Sequence, residues 1–143
     1  GQMNIELLMD KDDNPHFLEL GPRAGGNMIP FQISDAFGVD LIAANVNAAM
    51  GLPTNLDPVT PEECFATYVL HSHQDGTFRE VKYSDEIEQY IYRKFYYKHP
   101  GDVVEEFDGA GKAIGIVFLK YPDIATMDRM CDEIDDHVKV ILE

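Results

Sequence analysis

Two glutamates and an arginine near the start of the chain carry the strongest chemical signal. Glu6 sits inside an apolar run, Met3 to Met9, and Glu19 inside a second, Phe17 to Leu20. Arg23 follows within the glycine-rich stretch Gly21-Pro22-Arg23-Ala24-Gly25-Gly26-Asn27. Two carboxylates brought together suit Mg2+, which is usually held by one or two acids together with phosphate oxygens and water. A guanidinium beside them suits a phosphoryl group. Gly25 and Gly26 permit a tight backbone with its N–H groups turned inward, as an anion-binding nest needs. Each signal is weak alone, because acids on a half-exposed hairpin are commonly just solvated. Together they describe a place for a metal-bound phosphate.

The elements that position these groups follow from local rules. Asp10-Lys11-Asp12-Asp13-Asn14-Pro15 is a cluster of turn formers between the two apolar runs, so the segment reads as a β-hairpin. A turn symmetric about Asp12 and Asp13 sets Glu6 opposite Glu19, Leu8 opposite Phe17 and Asn4 opposite Gly21. The other face then carries Ile5, Leu7, Met9, Leu18 and Leu20 with His16, an almost wholly apolar set that suits a core. A one-residue slip would destroy that separation. Directly opposed side chains have Cβ atoms about 4.5–5.5 Å apart, where like charges destabilise a sheet. A divalent cation removes the conflict.

Beyond the hairpin, Pro30 to Phe37 reads as a short helix stopped by Gly38, and Asp40 caps a second, Leu41 to Met50, ended by Gly51 and Pro53. The proline-rich stretch that follows predicts a division into residues 1–53, a linker 54–61, and a β-rich lobe 62–143. In that lobe the strands expected are Cys64–His71, Phe78–Tyr83, Tyr90–Lys98, Ala113–Leu119 and Val138–Leu142. Thr126 is the expected cap of a helix running to Ile134. His71 and His73 alternate on a predicted strand and share a face, but with no third ligand nearby they read as surface histidines. The aromatic run Tyr90 to Tyr97 reads as sheet packing. Asp10, Asp12 and Asp13 lack the central glycine and closing glutamate of a calcium-binding loop.

Composition narrows the function classes. The 143 residues hold 26 acidic against 11 basic side chains, a formal net charge of −15. No basic block is present, which argues against nucleic acid as a partner. No apolar run approaches the roughly 20 residues needed to span a bilayer, so no membrane partner is expected. Cys64 and Cys131 form no CxxC pair and imply neither a zinc site nor a redox motif. Free thiols in a reducing cytoplasm are the expectation. The opening Gly1-Gln2-Met3 enters a strand at once and reads as a trimmed piece of a longer protein.

Met3-Asn4-Ile5-Glu6-Leu7-Leu8-Met9 and Phe17-Leu18-Glu19-Leu20-Gly21-Pro22-Arg23-Ala24-Gly25-Gly26 closely resemble the metal-binding end of the ATP-grasp fold. Asp35-Ala36-Phe37-Gly38-Val39-Asp40-Leu41 with Gly51 is similar to that family's next helices, and the later half to the C-terminal lobes of biotin-carboxylase-like, carbamoyl-phosphate-synthase-like and amino-acid-ligase-like members. The resemblance implies an α+β fold, the C-terminal part of an ATP-grasp domain followed by a β-rich lobe. It also implies a ligase that activates a small carboxylate as an acyl phosphate with ATP and Mg2+ or Mn2+, for attack by an amine or similar nucleophile. By that resemblance Glu6 and Glu19 hold the metal, Arg23 stabilises the phosphoryl group as catalytic residue, and Arg23, Gly25 and Gly26 contact the nucleotide. The lysines and glycine-rich lid of the family precede the motif found here, so the chain alone is expected not to turn over ATP, and an oligomer is compatible. Gly21 departs from the pattern, since the family usually has a metal-ligating Asn two residues after the second Glu. That departure keeps open a non-catalytic, degenerate lobe acting as a binding module.

Overall fold

A computed structural model describes residues 1–143. The chain divides into two compact units, Gly1–Thr60 and Pro61–Glu143. Antiparallel strands and a few helices make the architecture α+β.

In the first unit, β1 (Asn4–Met9) and β2 (Pro15–Gly21) form a two-stranded antiparallel sheet. Asp10 ties the turn between them. Its Oδ1 accepts from the backbone N–H groups of Asp12 and Asn14, each at 2.9 Å, and its Oδ2 lies 3.0 Å from His16 Nε2. His16 first, and then the N–H donors, hold the Asp10 carboxyl well below the usual carboxylate range.

Pairing starts as a symmetric turn predicts, with Asn4 opposite Gly21, Ile5 opposite Leu20 and Glu6 opposite Glu19. An irregularity between Glu6 and Leu7 then shifts it, so that Leu7 faces Phe17, Leu8 faces His16 and Met9 faces Pro15. Leu18 is the extra residue of a β-bulge, and the expected Leu8–Phe17 pair does not form. Strand alternation then puts Phe17 on the apolar face with Ile5, Leu7, Met9 and Leu20. His16 joins the face of Glu6 and Glu19 instead of the apolar one. The apolar face is not a core here, for its side chains are half exposed or more, from 50% at Leu20 to 65% at Phe17.

The two helices of this unit are α1 (Ile29–Phe37) and α2 (Leu41–Ala49). Gly38 ends α1 at a left-handed φ of 65°, which glycine adopts without strain. Asp40 Oδ1 accepts from Ala43 N–H at 2.8 Å and caps α2. Neither helix contains a fully buried residue. Residues 52–61 have no regular structure. Even so, Val59 N–H donates to the Phe37 carbonyl at 2.9 Å.

The second unit holds two three-stranded antiparallel sheets. One has the order β3 (Cys64–Leu70), β7 (Gly115–Tyr121), β5 (Ile91–Tyr96); the other β6 (Val103–Val104), β4 (Gly76–Tyr83), β8 (Val138–Leu142). The run Ala113 to Tyr121 is almost unbroken in apolar character because β7 is the middle strand and only Lys120 along it is exposed. Leu70, Phe78, Ile87, Val104, Ile114, Val117, Leu119, Tyr121, Met130 and Val138 form one buried cluster. Gly115 allows β5 to approach, since a Cβ there would lie 2.3 Å from the Phe95 carbonyl oxygen.

Three α-helices, α3 (Asp85–Glu88), α4 (Ile124–Asp132) and α5 (Ile134–His137), and one 3-10 turn (Ala110–Lys112) complete this unit. Thr126 is not the cap of α4. Asp123 is, with Oδ1 accepting from Thr126 N–H at 2.7 Å. Strand β3 stops at Leu70, so His71 and His73 lie beyond it rather than on it.

Candidate functional site

The hairpin register sets Glu6 directly opposite Glu19. Both side chains are exposed, and neither makes a hydrogen bond or an ion pair. Two like charges on paired residues repel, and nothing in the sheet offsets that repulsion. Arg23 follows β2 by two residues. Its backbone N–H donates to the Gly21 carbonyl at 2.8 Å and its Nη1 to the Ala24 carbonyl at 3.0 Å, while no acid pairs with it. The carboxylates and the guanidinium therefore keep their charges available to a ligand.

This donor set fits a hard divalent cation. Glu6 and Glu19 offer oxygens without other partners, and two carboxylates are what Mg2+ commonly takes from a protein before phosphate and water fill the remaining positions. No group of three or more His, Cys, Asp or Glu side chains is gathered in a way that could hold a metal, so the acids supply only part of a coordination shell.

Gly25 and Gly26 lie in the loop between β2 and α1. The left-handed backbone of this loop falls on Asn27 (φ 49°) and Met28 (φ 57°), not on Gly25 or Gly26. The Ile29 N–H is committed to the Gly26 carbonyl at 3.0 Å, and the N–H groups of Phe31 and Gln32 to the Met28 carbonyl. Gly25 matters for packing, because a Cβ there would press on the Ile29 side chain at 3.3–3.4 Å. At Gly26 a Cβ would meet nothing within 4 Å.

One group was not anticipated at the acid face, His16, while Asn4 stands there as the symmetric turn predicts. His16 reaches it through the bulge, for which the residue pattern gives no signal. Asn4 lies on it because it is two residues before Glu6 and directly opposite Gly21.

In the second unit, a cavity of about 300 Å3 is lined by Tyr68, His71, Ser72, His73, Asp135 and Lys139, among others. The His71 ring lies 5.0 Å from that of His73 and 4.9 Å from that of Phe107, and His71 Nδ1 donates to the Val69 carbonyl at 2.8 Å. The two imidazoles meet without a third ligand.

No protein-family model and no curated protein matches the chain. Solved structures do. An L-amino acid ligase from Bacillus licheniformis matches 99% of the chain at 19% identity and a TM-score of 0.80, over 36% of its own length. A phosphoribosylglycinamide synthetase from Anaerococcus prevotii matches 99% at 17% identity and 0.76, over 37% of its length. An N5-carboxyaminoimidazole ribonucleotide synthetase from Thermotoga maritima matches 99% at 15% identity and 0.68, again over 37%. The chain thus has the α+β fold of a portion of the ATP-grasp ligases, and spans little more than a third of the solved structures it matches. No helix is long and apolar enough to cross a membrane.

Proposed function

We propose that the chain is the C-terminal portion of an ATP-dependent ligase, and that its hairpin provides the metal–phosphate end of the active site. The observation that carries this reading is the pairing of Glu6 with Glu19, two unpartnered acids on directly opposed residues, with Arg23 two residues beyond the second strand. Glu6 and Glu19 would hold Mg2+ or Mn2+, which would supply charge neutralisation to the nucleotide phosphates. Arg23, whose Nη1 donates to the Ala24 carbonyl, would stabilise the charge of the transferring phosphoryl group. Bound ATP would supply the phosphoryl group that activates a small carboxylate as an acyl phosphate with loss of ADP, and attack of an amine or similar nucleophile on the acyl carbon would release phosphate. Such transfer is mostly positioning and charge neutralisation, which suits a site made of two acids and one arginine.

The exposed apolar face of the hairpin supports the same reading. Ile5, Leu7, Met9, Phe17 and Leu20 form a contiguous apolar surface on one side of a sheet, and surfaces of this kind are normally covered by further protein. In this proposal the cover is the remainder of the ligase, which also brings the lysines and lid that grip ATP. The isolated chain is accordingly inactive.

Gly21 favours a second reading, a lobe that has lost catalysis and binds a partner or metabolite. Mn2+ binding in the presence of ATP, followed by electron paramagnetic resonance, separates the two. On the first reading Glu6→Gln and Glu19→Gln each weaken binding by roughly tenfold or more, at least what losing an outer-sphere partner of a metal costs. Binding that ignores both substitutions would leave only the second. With the upstream sequence restored, substrate-stimulated release of ADP and phosphate, abolished by Glu19→Gln, would then establish the ligase activity.

A further inference from the structure

We propose that Asn4 supplies, from β1, the carboxamide oxygen that Gly21 cannot supply from β2. The inference rests on the metal reading of Glu6 and Glu19 and adds a third ligand to it. Asn4 precedes Glu6 by two residues, so both side chains leave the same face of the sheet. The register puts Asn4 directly opposite Gly21, beside the Glu6–Glu19 pair.

The space at Gly21 is open to a neighbour. A Cβ built there would lie 4.0 Å from Asn4 Cβ, 3.6 Å from Arg23 Cγ and 3.7 Å from Arg23 Nε. A side chain at position 21 would thus occupy the volume between Asn4 and Arg23. With glycine in place, the Asn4 carboxamide can lean into that volume from the opposite strand. Asn4 is half-buried and its amide makes no hydrogen bond. An amide oxygen is an ordinary ligand for hard divalent cations. From its position Asn4 is adjacent to Glu6 along the strand and diagonal to Glu19 across it, a separation of about 7–8 Å that longer side chains bridge. The three oxygen donors then converge from two strands, with the amide moved to the other side of the same pair of positions.

The test moves the amide back. The chain is labelled with 15N and titrated with Mn2+, and the paramagnetic loss of the Ile5, Leu20 and Gly21 amide signals reports occupancy of the hairpin without any need for turnover. Asn4→Ala should raise the Mn2+ concentration at half-loss by about tenfold, and Asn4→Ala with Gly21→Asn should return it to within about twofold of the parent. Circular dichroism checks that each variant folds. If Asn4→Ala changes nothing while Glu19→Gln abolishes the effect, the role given to Asn4 is wrong and the acid site stands. If Asn4→Ala weakens binding but Gly21→Asn does not restore it, Asn4 acts on the hairpin's shape and is not a ligand. If Glu6→Gln and Glu19→Gln also change nothing, the metal reading falls and Asn4 falls with it.

Discussion

Asp10 shows how a single residue couples the turn to pH. Its carboxylate gathers His16, Asn14 and the Asp12 N–H, and its folded-state pKa is depressed, with the His16 bond the largest cause. A depressed carboxyl stabilises the folded form above its unfolded value, about 3.9, and loses that contribution as the pH falls through the folded value. Asp10→Asn should therefore loosen the hairpin at neutral pH, and the difference from the parent should shrink on acidification below about pH 3. Amide chemical shifts of Asp12 and Asn14 would follow it. A difference that stays constant down to strong acid would rule out a charged Asp10 as the anchor. Arg23 gives a second expectation at this scale. Arg23→Lys keeps the charge but loses the planar fork that matches phosphate oxygens. On the proposed reading, binding of Mn-ATP should fall while binding of Mn2+ alone stays put, and calorimetry with each ligand distinguishes the two.

Among the elements, those governed by neighbouring residues were readable and those governed by distant contacts were not. The Asp40 cap, the Gly38 stop and the central strand β7 follow from local chemistry and from one long apolar run. The acid pair was equally readable, because the residues from Asn4 to Glu6 count off evenly against Gly21 to Glu19. The bulge at Leu18 was not, since nothing in an alternating apolar pattern marks an extra residue. Helix α3 was missed although Ser84, followed by Asp85, Glu86 and Glu88, is a recognisable start; four residues between two strands leave little room for a period to show. The α4 cap was misplaced from Asp123 to Thr126, so Asp123→Ala should lower the midpoint of chemical unfolding more than Thr126→Ala does. The left-handed backbone of the glycine-rich loop falls on Asn27 and Met28 rather than on Gly25 or Gly26. Gly115→Ala tests the tightest approach between strands. A Cβ 2.3 Å from a backbone oxygen cannot be relieved by a rotamer change, so the loss should be on the order of 2–4 kcal/mol in denaturant unfolding. Gly111→Ala, whose Cβ meets nothing within 4 Å, should stay within about 0.5 kcal/mol of the parent.

For the whole molecule, apolar surface is divided unevenly. Every buried core residue belongs to the unit Pro61–Glu143, whereas the first unit exposes most of its large hydrophobic side chains. Burial of apolar area is the main favourable term in folding, so the two units should differ in stability. A fragment of residues 61–143 should melt cooperatively on its own, and a fragment of residues 1–60 should not; circular dichroism on each decides. Equal cooperativity in both would show that the hairpin and its helices draw on packing the burial pattern does not reveal. The net charge of −15 keeps such a chain dispersed despite its exposed apolar face.

The bulge has a consequence for how the hairpin can change length. Because Leu18 is the one unpaired residue between Glu19 and Phe17, deleting it leaves Glu6 opposite Glu19 and Leu7 opposite Phe17. Both ends of the ladder keep their partners, and the strand becomes regular. Excising a leucine from the middle of a strand should thus be tolerated where excising Glu19's other neighbour, Leu20, would throw Asn4 and Ile5 out of step. A deletion scan along β2 would find a single permissive gap.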